Sequence, residues 1–343
     1  MEITIYCGSI LSVIVLGVIV VSILDEQRVI AIEEHYYDPN VISHFTGGDV
    51  RKGGIVKDEL LEVGEKRIKS MNECGIDVQI LSHAAPSTQR MDAATGIPVA
   101  KAANDFLYDI CRAHPDRLKG FAALPTADPA AAANELSRSV NELGFKGAMI
   151  HGLIGEEKLF IDDLRFWPIF EQAQSLDVPI YIHPANPHPA VVDAYLKDYV
   201  KQYPIIANAG WGFTMETATI GIRLVLSGVF NQFPNLKIII GHLGETLPFL
   251  LWRIDMALNR PGNDRIAFRD IFASHFYVTT SGFFSDPALL CCIQEMGVDR
   301  ILFAIDYPFI PNEPGPKWME QIMLSIEDKA KILHGNAERI LNI

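Results

Sequence analysis

Positive charge is scarce in this sequence. Its 343 residues include 29 Lys and Arg but 42 Asp and Glu, which gives a formal net charge of −13 at pH 7. Nucleic acid repels a chain of this charge, and the Lys and Arg residues form no basic stripe that would offset the repulsion. We therefore exclude nucleic acid as a partner.

Cysteine is also scarce. The sequence has five cysteines and none of them shows CxxC spacing: Cys7, Cys74, Cys111, Cys291 and Cys292. An odd number of cysteines in a long chain argues against a disulfide framework. We expect reduced thiols.

One segment lacks charge altogether. Residues 3–24 contain no charged side chain and consist mostly of Ile, Val, Leu and Ser. A helix of that length spans roughly 33 Å, about one hydrocarbon core. Because the chain starts Met1-Glu2 and "SILDEQ" offers no small-residue cleavage site, the flanks favour a membrane anchor over a signal peptide. An inert extension from an upstream start codon is a third interpretation.

These features divide the chain into two parts. Residues 1–27 form a hydrophobic segment through which the protein could associate with a membrane, and residues 28–343 form one domain. We expect that domain in the cytoplasm, with or without the anchor. The charges beside the segment do not fix its orientation.

From residue 28 onward, short apolar runs alternate with longer stretches of helical spacing. The runs predict eight strands, at 29–33, 77–82, 118–124, 147–152, 179–184, 237–242, 276–282 and 301–306. Strands that are apolar on both faces are typical of a parallel sheet covered by helices. The pattern predicts an α/β fold, a (β/α)₈ TIM-type barrel with an insertion at 185–214, or else an open doubly wound sheet.

Five of these eight strands have ionisable residues at their carboxyl ends or just beyond them. They are Glu33 and His35, His151, His183, His242 and Asp306. In a barrel the carboxyl ends of the strands surround one axis, whereas in an open sheet they spread along an edge. The positions of these groups therefore favour the barrel and a shared site.

Four of these residues could hold a metal ion. Side chains alternate along a strand, so Glu33 and His35 are expected on one face and Glu34 on the other. His183 and Asp306 add an imidazole and a carboxylate. This mixed set suits Zn²⁺ or Mn²⁺ better than Mg²⁺. Each residue taken alone could instead be a hydrogen-bonded core residue.

His242 and Glu245 form a second candidate pair in "GHLGE". A carboxylate three residues on can hold one imidazole nitrogen and leave the other for proton transfer or substrate contact. Alternatively, Glu245 only favours the positive end of a helix dipole.

Longer motifs resemble a known family. They are "VIAIEEH", "GEKRIKSMNECGIDVQILS", "DVPIYIHPANP", "GFTMETATIGIRLVLSGVFNQFPNLKIIIGHLGETLPFLLWRID", "FYVTTSGFF" and "DRILFAIDYPF". The sequence from residue 28 to 343 is similar to the aromatic-acid decarboxylases of the amidohydrolase superfamily. The Glu33-Glu34-His35 form is similar to the branch of the γ-resorcylate and dihydroxybenzoate decarboxylases, which also holds aminocarboxymuconate semialdehyde decarboxylase.

The resemblance implies a barrel with one catalytic divalent metal. Its ligands would be Glu33, His35, His183 and Asp306. The chain has no lysine at the end of strand four that could be carboxylated to bridge two metals, since Lys146 precedes that strand. We therefore expect a mononuclear site.

The resemblance also implies roles for further residues. Asp306 would be the first choice of proton donor and His242 the second, with Glu245 paired to His242. The resemblance places Arg253 near the substrate. His83 and His151 depart from the family, since relatives more often carry other residues at these strand ends, and both could contact substrate, as could Trp211 by stacking on an aromatic ring. The two histidines could instead bond to nearby backbone groups, and Trp211 could instead pack in the core.

The implied activity is that of a carboxy-lyase, a metal-dependent, non-oxidative decarboxylase of an ortho-hydroxylated aromatic acid, assembled as a homodimer or homotetramer. The alternative is a metal-dependent hydrolase that activates water to attack an amide, ester or lactone. A non-catalytic, membrane-tethered binding protein is a third hypothesis.

Overall fold

A computed structural model describes residues 27–50 and 53–343. Eight predicted strands are confirmed: β1 (Ile30–Tyr36), β2 (Val78–His83), β3 (Leu118–Gly120), β4 (Ala148–His151), β5 (Ile180–His183), β6 (Ile238–Ile240), β7 (Phe276–Thr279) and β8 (Ile301–Leu302). The α-helices are α1 (Pro39–Ile42), α2 (Ile55–Leu61), α3 (Glu65–Glu73), α4 (Ala93–Ala113), α5 (Pro129–Asn141), α6 (Trp167–Ser175), α7 (Pro189–Tyr195), α8 (Lys197–Val200), α9 (Gly212–Leu226), α10 (Val229–Gln232), α11 (Leu247–Leu258), α12 (Phe268–His275), α13 (Asp286–Met296), α14 (Pro314–Gln321), α15 (Ile326–Ala330) and α16 (Asn336–Leu341).

Backbone hydrogen bonds close the strands into a barrel. The parallel strands pair in the orders β1-β2-β3 and β4-β5-β6-β7-β8. Between β3 and β4, Ala122 N–H donates to Gly147 at 2.9 Å and Met149 N–H donates to Ala122 at 3.2 Å. After β8, Phe303 accepts from Ile32 of β1 at 3.1 Å. The α/β barrel is therefore confirmed over the open sheet.

Apolar side chains fill the barrel and its outer layer, as the continuous apolar strands predict. The interior contains Ile30, Ile32, Val78, Ile80, Phe121, Met149, Tyr181, Ile239, Tyr277, Leu302 and Ala304, with Ala337, Ile340 and Leu341 of α16 packed against them. A larger outer cluster packs the other strand faces against the helices. Near the carboxyl ends of the strands, the buried side chains of Glu33, His35, His151 and His183 interrupt this core.

A β-bulge sets which side chains of β1 face inward. The register with β2 shifts between Ala31 and Glu34. Ile32 packs in the barrel interior, and the next side chain, Glu33, also faces inward because its carboxylate accepts a hydrogen bond from Tyr181. A bulge places an extra residue on one strand and re-aims the side chains after it.

One predicted helix is broken. The spacing predicts a continuous helix over 58–74, but α2 ends at Leu61 and α3 begins at Glu65. Gly64 adopts φ −112° and ψ −132°, which is not helical, and its N–H donates to the Glu62 carboxylate at 2.9 Å.

The insertion at 185–214 contains α7 and α8 and leads into α9.

Among the described residues, none of the helices combines the length and the apolar composition needed to cross a membrane. The predicted anchor at 3–24 lies outside the described residues, as does the rest of the 1–27 segment except Gln27.

Candidate metal centre

Four side chains converge at the carboxyl ends of the strands. Glu33 and His35 come from β1, His183 ends β5, and Asp306 follows β8. Each offers one ligand atom, and these atoms all lie within 4.8 Å of one another. His183 Nε2 is 3.3 Å from Glu33 Oε1, and His35 Nε2 is 3.2 Å from Asp306 Oδ1.

The ligand atoms fit a divalent cation. Glu33 Oε1, His35 Nε2 and Asp306 Oδ1 are buried and have no hydrogen-bond partner among the described residues. Buried polar atoms are normally hydrogen-bonded, so three such atoms pointing at one another form a cation-binding cluster. Two carboxylates and two imidazoles are ligands for Zn²⁺ or Mn²⁺.

Hydrogen bonds orient the two imidazoles. His35 Nδ1 lies 3.2 Å from Ser82 Oγ, and His183 Nδ1 lies 2.7 Å from the carbonyl oxygen of Pro184. Both Nε2 atoms are thereby left for the cation. Burial and the neighbouring imidazoles, His35 first among them, lower the pKa of His183 well below 6.5 and keep it neutral.

Glu33 is held through its other oxygen. Oε2 accepts hydrogen bonds from the Tyr181 hydroxyl and from Thr279 Oγ1 at 3.1 Å. Thr279 also contacts Ser281 at 2.8 Å, and Ser281 Oγ accepts from His242 N–H at 2.9 Å. Burial disfavours the ionised carboxylate of Glu33 and raises its pKa to about 7. A bound cation would stabilise the ionised form.

The His242–Glu245 pair lies beside the four ligands. His242 Nδ1 is 2.8 Å from Glu245 Oε1, and Thr214 Oγ1 donates to Glu245 Oε2 at 2.7 Å. His242 Nε2 faces the cluster, 3.9 Å from Glu33 Oε1 and 3.9 Å from Asp306 Oδ2. Glu245 thus holds the Nδ1 atom of the His242 imidazole, and the Nε2 atom faces the site.

A strained turn carries this pair. Five consecutive residues have positive φ, namely His242 at 50°, Leu243 at 52°, Gly244 at 77°, Glu245 at 49° and Thr246 at 68°. Only glycine adopts this region freely, and other residues there cost of order 1–3 kcal/mol each. The surrounding structure must impose this turn, which brings the His242 and Glu245 side chains together.

His242 and Asp306 lie on the open side of the site, and each favours its charged form. The side chains of His242 and Asp306 are 24% and 16% exposed. Burial opposes the charged form of His242, but the carboxylates of Glu245 and Glu33 outweigh burial and raise the pKa of His242 well above 6.5. Burial alone would raise the pKa of Asp306, yet the nearby imidazoles of His242 and His35 lower it.

The remaining predicted site residues lie in different places. His83 and His151 are 2% and 1% exposed, and both make backbone hydrogen bonds, His83 Nδ1 to Ala84 at 2.9 Å and His151 Nε2 to His83 at 2.8 Å. Burial lowers the pKa of His83 to about 4. Trp211 is 43% exposed beside α9, and Arg253 is exposed on α11.

Several residues of the site were not predicted. Tyr181, Thr279 and Ser281 support Glu33, Ser82 contacts His35, and Thr214 supports Glu245. All are neutral. The hydroxyl-rich end of β7 in "TTSG" is the one sequence signal that could have indicated some of them.

Comparisons with known proteins agree on one family. The amidohydrolase family model matches residues 41–343. The chain is 38% identical to γ-resorcylate decarboxylase of Polaromonas sp. strain JS666 over 327 residues, covering 92% of this chain and 98% of that protein. It is also 38% identical to γ-resorcylate decarboxylase of Rhizobium sp. strain MTP-10005 over 332 residues, covering 92% and 99%.

Solved structures have the same architecture. A 2,6-dihydroxybenzoate decarboxylase complexed with 2,6-dihydroxybenzoate matches with a TM-score of 0.83 at 37% identity, covering 92% of this chain and 100% of that one. The dihydroxybenzoic acid decarboxylase of Polaromonas sp. JS666, with bound manganese and the inhibitor 2-nitroresorcinol, matches with a TM-score of 0.83 at 37% identity, covering 92% and 97%.

Proposed function

The chain belongs to the amidohydrolase family, and on that premise we propose that it is a metal-dependent, non-oxidative decarboxylase of aromatic carboxylic acids with a hydroxyl ortho to the carboxyl. The observation that carries this proposal is the convergence of Glu33, His35, His183 and Asp306 within 4.8 Å. The γ-resorcylate decarboxylases at 38% identity support the substrate class.

One divalent cation, Mn²⁺ or Zn²⁺, would be held by those four residues. Manganese is bound in the Polaromonas dihydroxybenzoic acid decarboxylase, and the same donor set also suits zinc. When bound, the cation would supply positive charge opposite the carboxylate and hydroxyl oxygens of the substrate.

The reaction needs a proton at a particular carbon. Direct loss of CO₂ from a benzoate would leave an electron pair in the ring plane, which the ring cannot delocalise. If the carboxyl-bearing carbon is protonated first, a ring electron pair forms the new C–H bond, and the ionised ortho-oxygen donates an electron pair into the ring as its own bond to carbon becomes carbonyl-like. The C–C bond to the carboxylate then breaks, its electron pair returns to the ring, and CO₂ leaves.

Asp306 and His242 are the proposed sources of that proton. Asp306 is the first choice because it lies within the cluster and is partly exposed, and His242 is the second. Since the pKa of Asp306 is lowered and that of His242 is raised, Asp306 would have to take up its proton from His242 before passing it on. Glu245, held by Thr214, keeps His242 directed at Asp306. A general acid must be within hydrogen-bond reach of the reacting atom, and both side chains line the open side of the site.

A substrate screen tests the proposal. Purified protein loaded with Mn²⁺ should release CO₂ from 2,6-dihydroxybenzoate and from salicylate, but not from benzoate, which lacks the ortho-hydroxyl. A chelator should stop the reaction and added Mn²⁺ should restore it. Hydrolysis of an amide, ester or lactone with no CO₂ release from any hydroxybenzoate would establish the hydrolase alternative instead.

We further propose a homodimer or homotetramer. Helix α11 presents two large apolar side chains to solvent, Phe249 at 79% exposure and Trp252 at 63%. Exposed apolar side chains in one patch are typical of protein interfaces. Light scattering of the purified protein would give the mass of the assembly, and a monomer at micromolar concentration would contradict this proposal.

A further inference from the structure

His151 and His183 lie side by side at the ends of β4 and β5. They are register partners in the parallel ladder, and their ring centroids are 4.8 Å apart. Their Nδ1 atoms are 3.0 Å apart. Two ring nitrogens at this distance form a hydrogen bond only if one of them carries a proton and the other does not.

The backbone decides the direction of this bond. His151 Nε2 lies 2.8 Å from the carbonyl oxygen of His83, which can only accept, so the proton of neutral His151 is on Nε2. Nδ1 of His151 is therefore an acceptor. His183 Nδ1–H donates both to it and to the carbonyl of Pro184 at 2.7 Å. The remaining nitrogen of His183, Nε2, keeps its lone pair beside Glu33 Oε1.

We propose that His151 is a positioning residue for the metal ligand His183. By accepting the Nδ1 proton, His151 holds the ring of His183 in one orientation and makes Nε2 a stronger donor to the cation. With 1% of its surface exposed, His151 acts from behind the ligand. The inference rests on the metal site of the proposed function but not on the reaction catalysed there.

Three substitutions separate this role from general packing. His151→Asn places its side-chain oxygen where Nδ1 lay, so it keeps the acceptor for His183. His151→Gln can keep a donor to the His83 carbonyl but leaves no acceptor at the Nδ1 position. His151→Phe keeps the ring and removes both hydrogen bonds.

The measurement is the Kd for Mn²⁺, obtained by calorimetric titration of metal-free protein. Loss of the partner of a ligating histidine typically weakens metal binding 10–100-fold. Because the Pro184 carbonyl still accepts from His183 Nδ1 in every variant, we expect the lower end of that range, a loss of about tenfold, for His151→Gln and His151→Phe. His151→Asn should bind Mn²⁺ nearly as tightly as the parent protein. Thermal unfolding of the metal-free variants separates a loss of affinity from a loss of stability.

The inference is overturned if His151→Gln binds Mn²⁺ as tightly as the parent protein, or if His151→Asn is weakened as much as His151→Gln. Comparing the Mn²⁺ affinities of His151→Asn and His151→Gln tests the inference even if the Phe variant does not fold. Because the titration needs no substrate, a failure of the parent protein to release CO₂ would refute the proposed reaction and leave this result intact.

Discussion

The carboxylate of Glu34 holds the backbone on both sides of Asp306. Its Oε1 accepts from the Ile305 N–H at 2.9 Å, and its Oε2 accepts from the Tyr307 N–H at 3.1 Å. Asp306 itself has φ 72°, a strained value for a residue other than glycine. Glu34 thus fixes the peptide geometry that directs Asp306 into the metal cluster, although it points away from that cluster.

Glu34→Ala should therefore lower both stability and metal affinity. It leaves two buried amides unpaired, each at a cost of about 1–3 kcal/mol, and frees Asp306 to leave the cluster. Urea unfolding and Mn²⁺ titration check the two effects. Glu73→Ala removes an exposed carboxylate that is 63% accessible and should change neither. Parent-like Mn²⁺ affinity in Glu34→Ala would show that Asp306 needs no such support.

Gly241→Ala should weaken metal binding although it replaces none of the four ligand residues. A Cβ at Gly241 would lie 2.8 Å from Glu33 Oε2 and 3.1 Å from both Ser281 Oγ and the Tyr181 hydroxyl. The added methyl displaces the carboxylate, and a displaced ligand should cost about tenfold or more in Kd for Mn²⁺. Gly48→Ala, where a Cβ meets nothing within 4 Å, is the matched control. Equal affinities of the two variants would contradict the prediction.

His242→Asn should lose turnover and keep its metal. Asn is too short to present a nitrogen where His242 Nε2 faces Asp306, and loss of a positioned acid or base typically costs 10²–10⁴-fold in rate. Steady-state kinetics with 2,6-dihydroxybenzoate and elemental analysis measure the two properties. Thr214→Val removes only the donor to Glu245 and should give a smaller loss. A fully active His242→Asn protein would remove His242 from the mechanism.

Glu216→Gln should become more stable than the parent protein as pH rises. Burial raises the pKa of Glu216 to about 7, against an ordinary value of 4.5, and a backbone hydrogen bond from His188 only partly opposes this. A carboxyl with a raised folded-state pKa favours folding at low pH, and that advantage is lost between pH 4.5 and about 7. The difference in melting temperature should grow over this window and then level off. A difference that is constant with pH would contradict the prediction.

The sequence predicted the barrel and the four side chains that converge in the structure, because apolar runs mark the strands and ionisable residues mark the ends of those runs. Most of the strands lie in short apolar runs and therefore stand out in the sequence. Glu33, His35, His183 and Asp306 stand out because they are ionisable groups at the ends of those runs. Convergence then follows from barrel geometry.

Other features could not be predicted from local pattern. The bulge in β1 changes which side chains face inward without altering composition. Leu243 adopts φ 52° only because its surroundings impose it, and no propensity favours that value. The hydrogen bond from Thr279 to Glu33 joins residues 246 positions apart, and the hydroxyl-rich "TTSG" does not indicate which distant residue its hydroxyls contact.

Anomalous diffraction from crystals grown with Mn²⁺ tests the central claim most directly. We predict one anomalous peak, at a position where Glu33 Oε1, His35 Nε2, His183 Nε2 and Asp306 Oδ1 would hold the cation. The same protein should release CO₂ from 2,6-dihydroxybenzoate only with metal present. Absence of that peak from protein that still decarboxylates the substrate would contradict the claim.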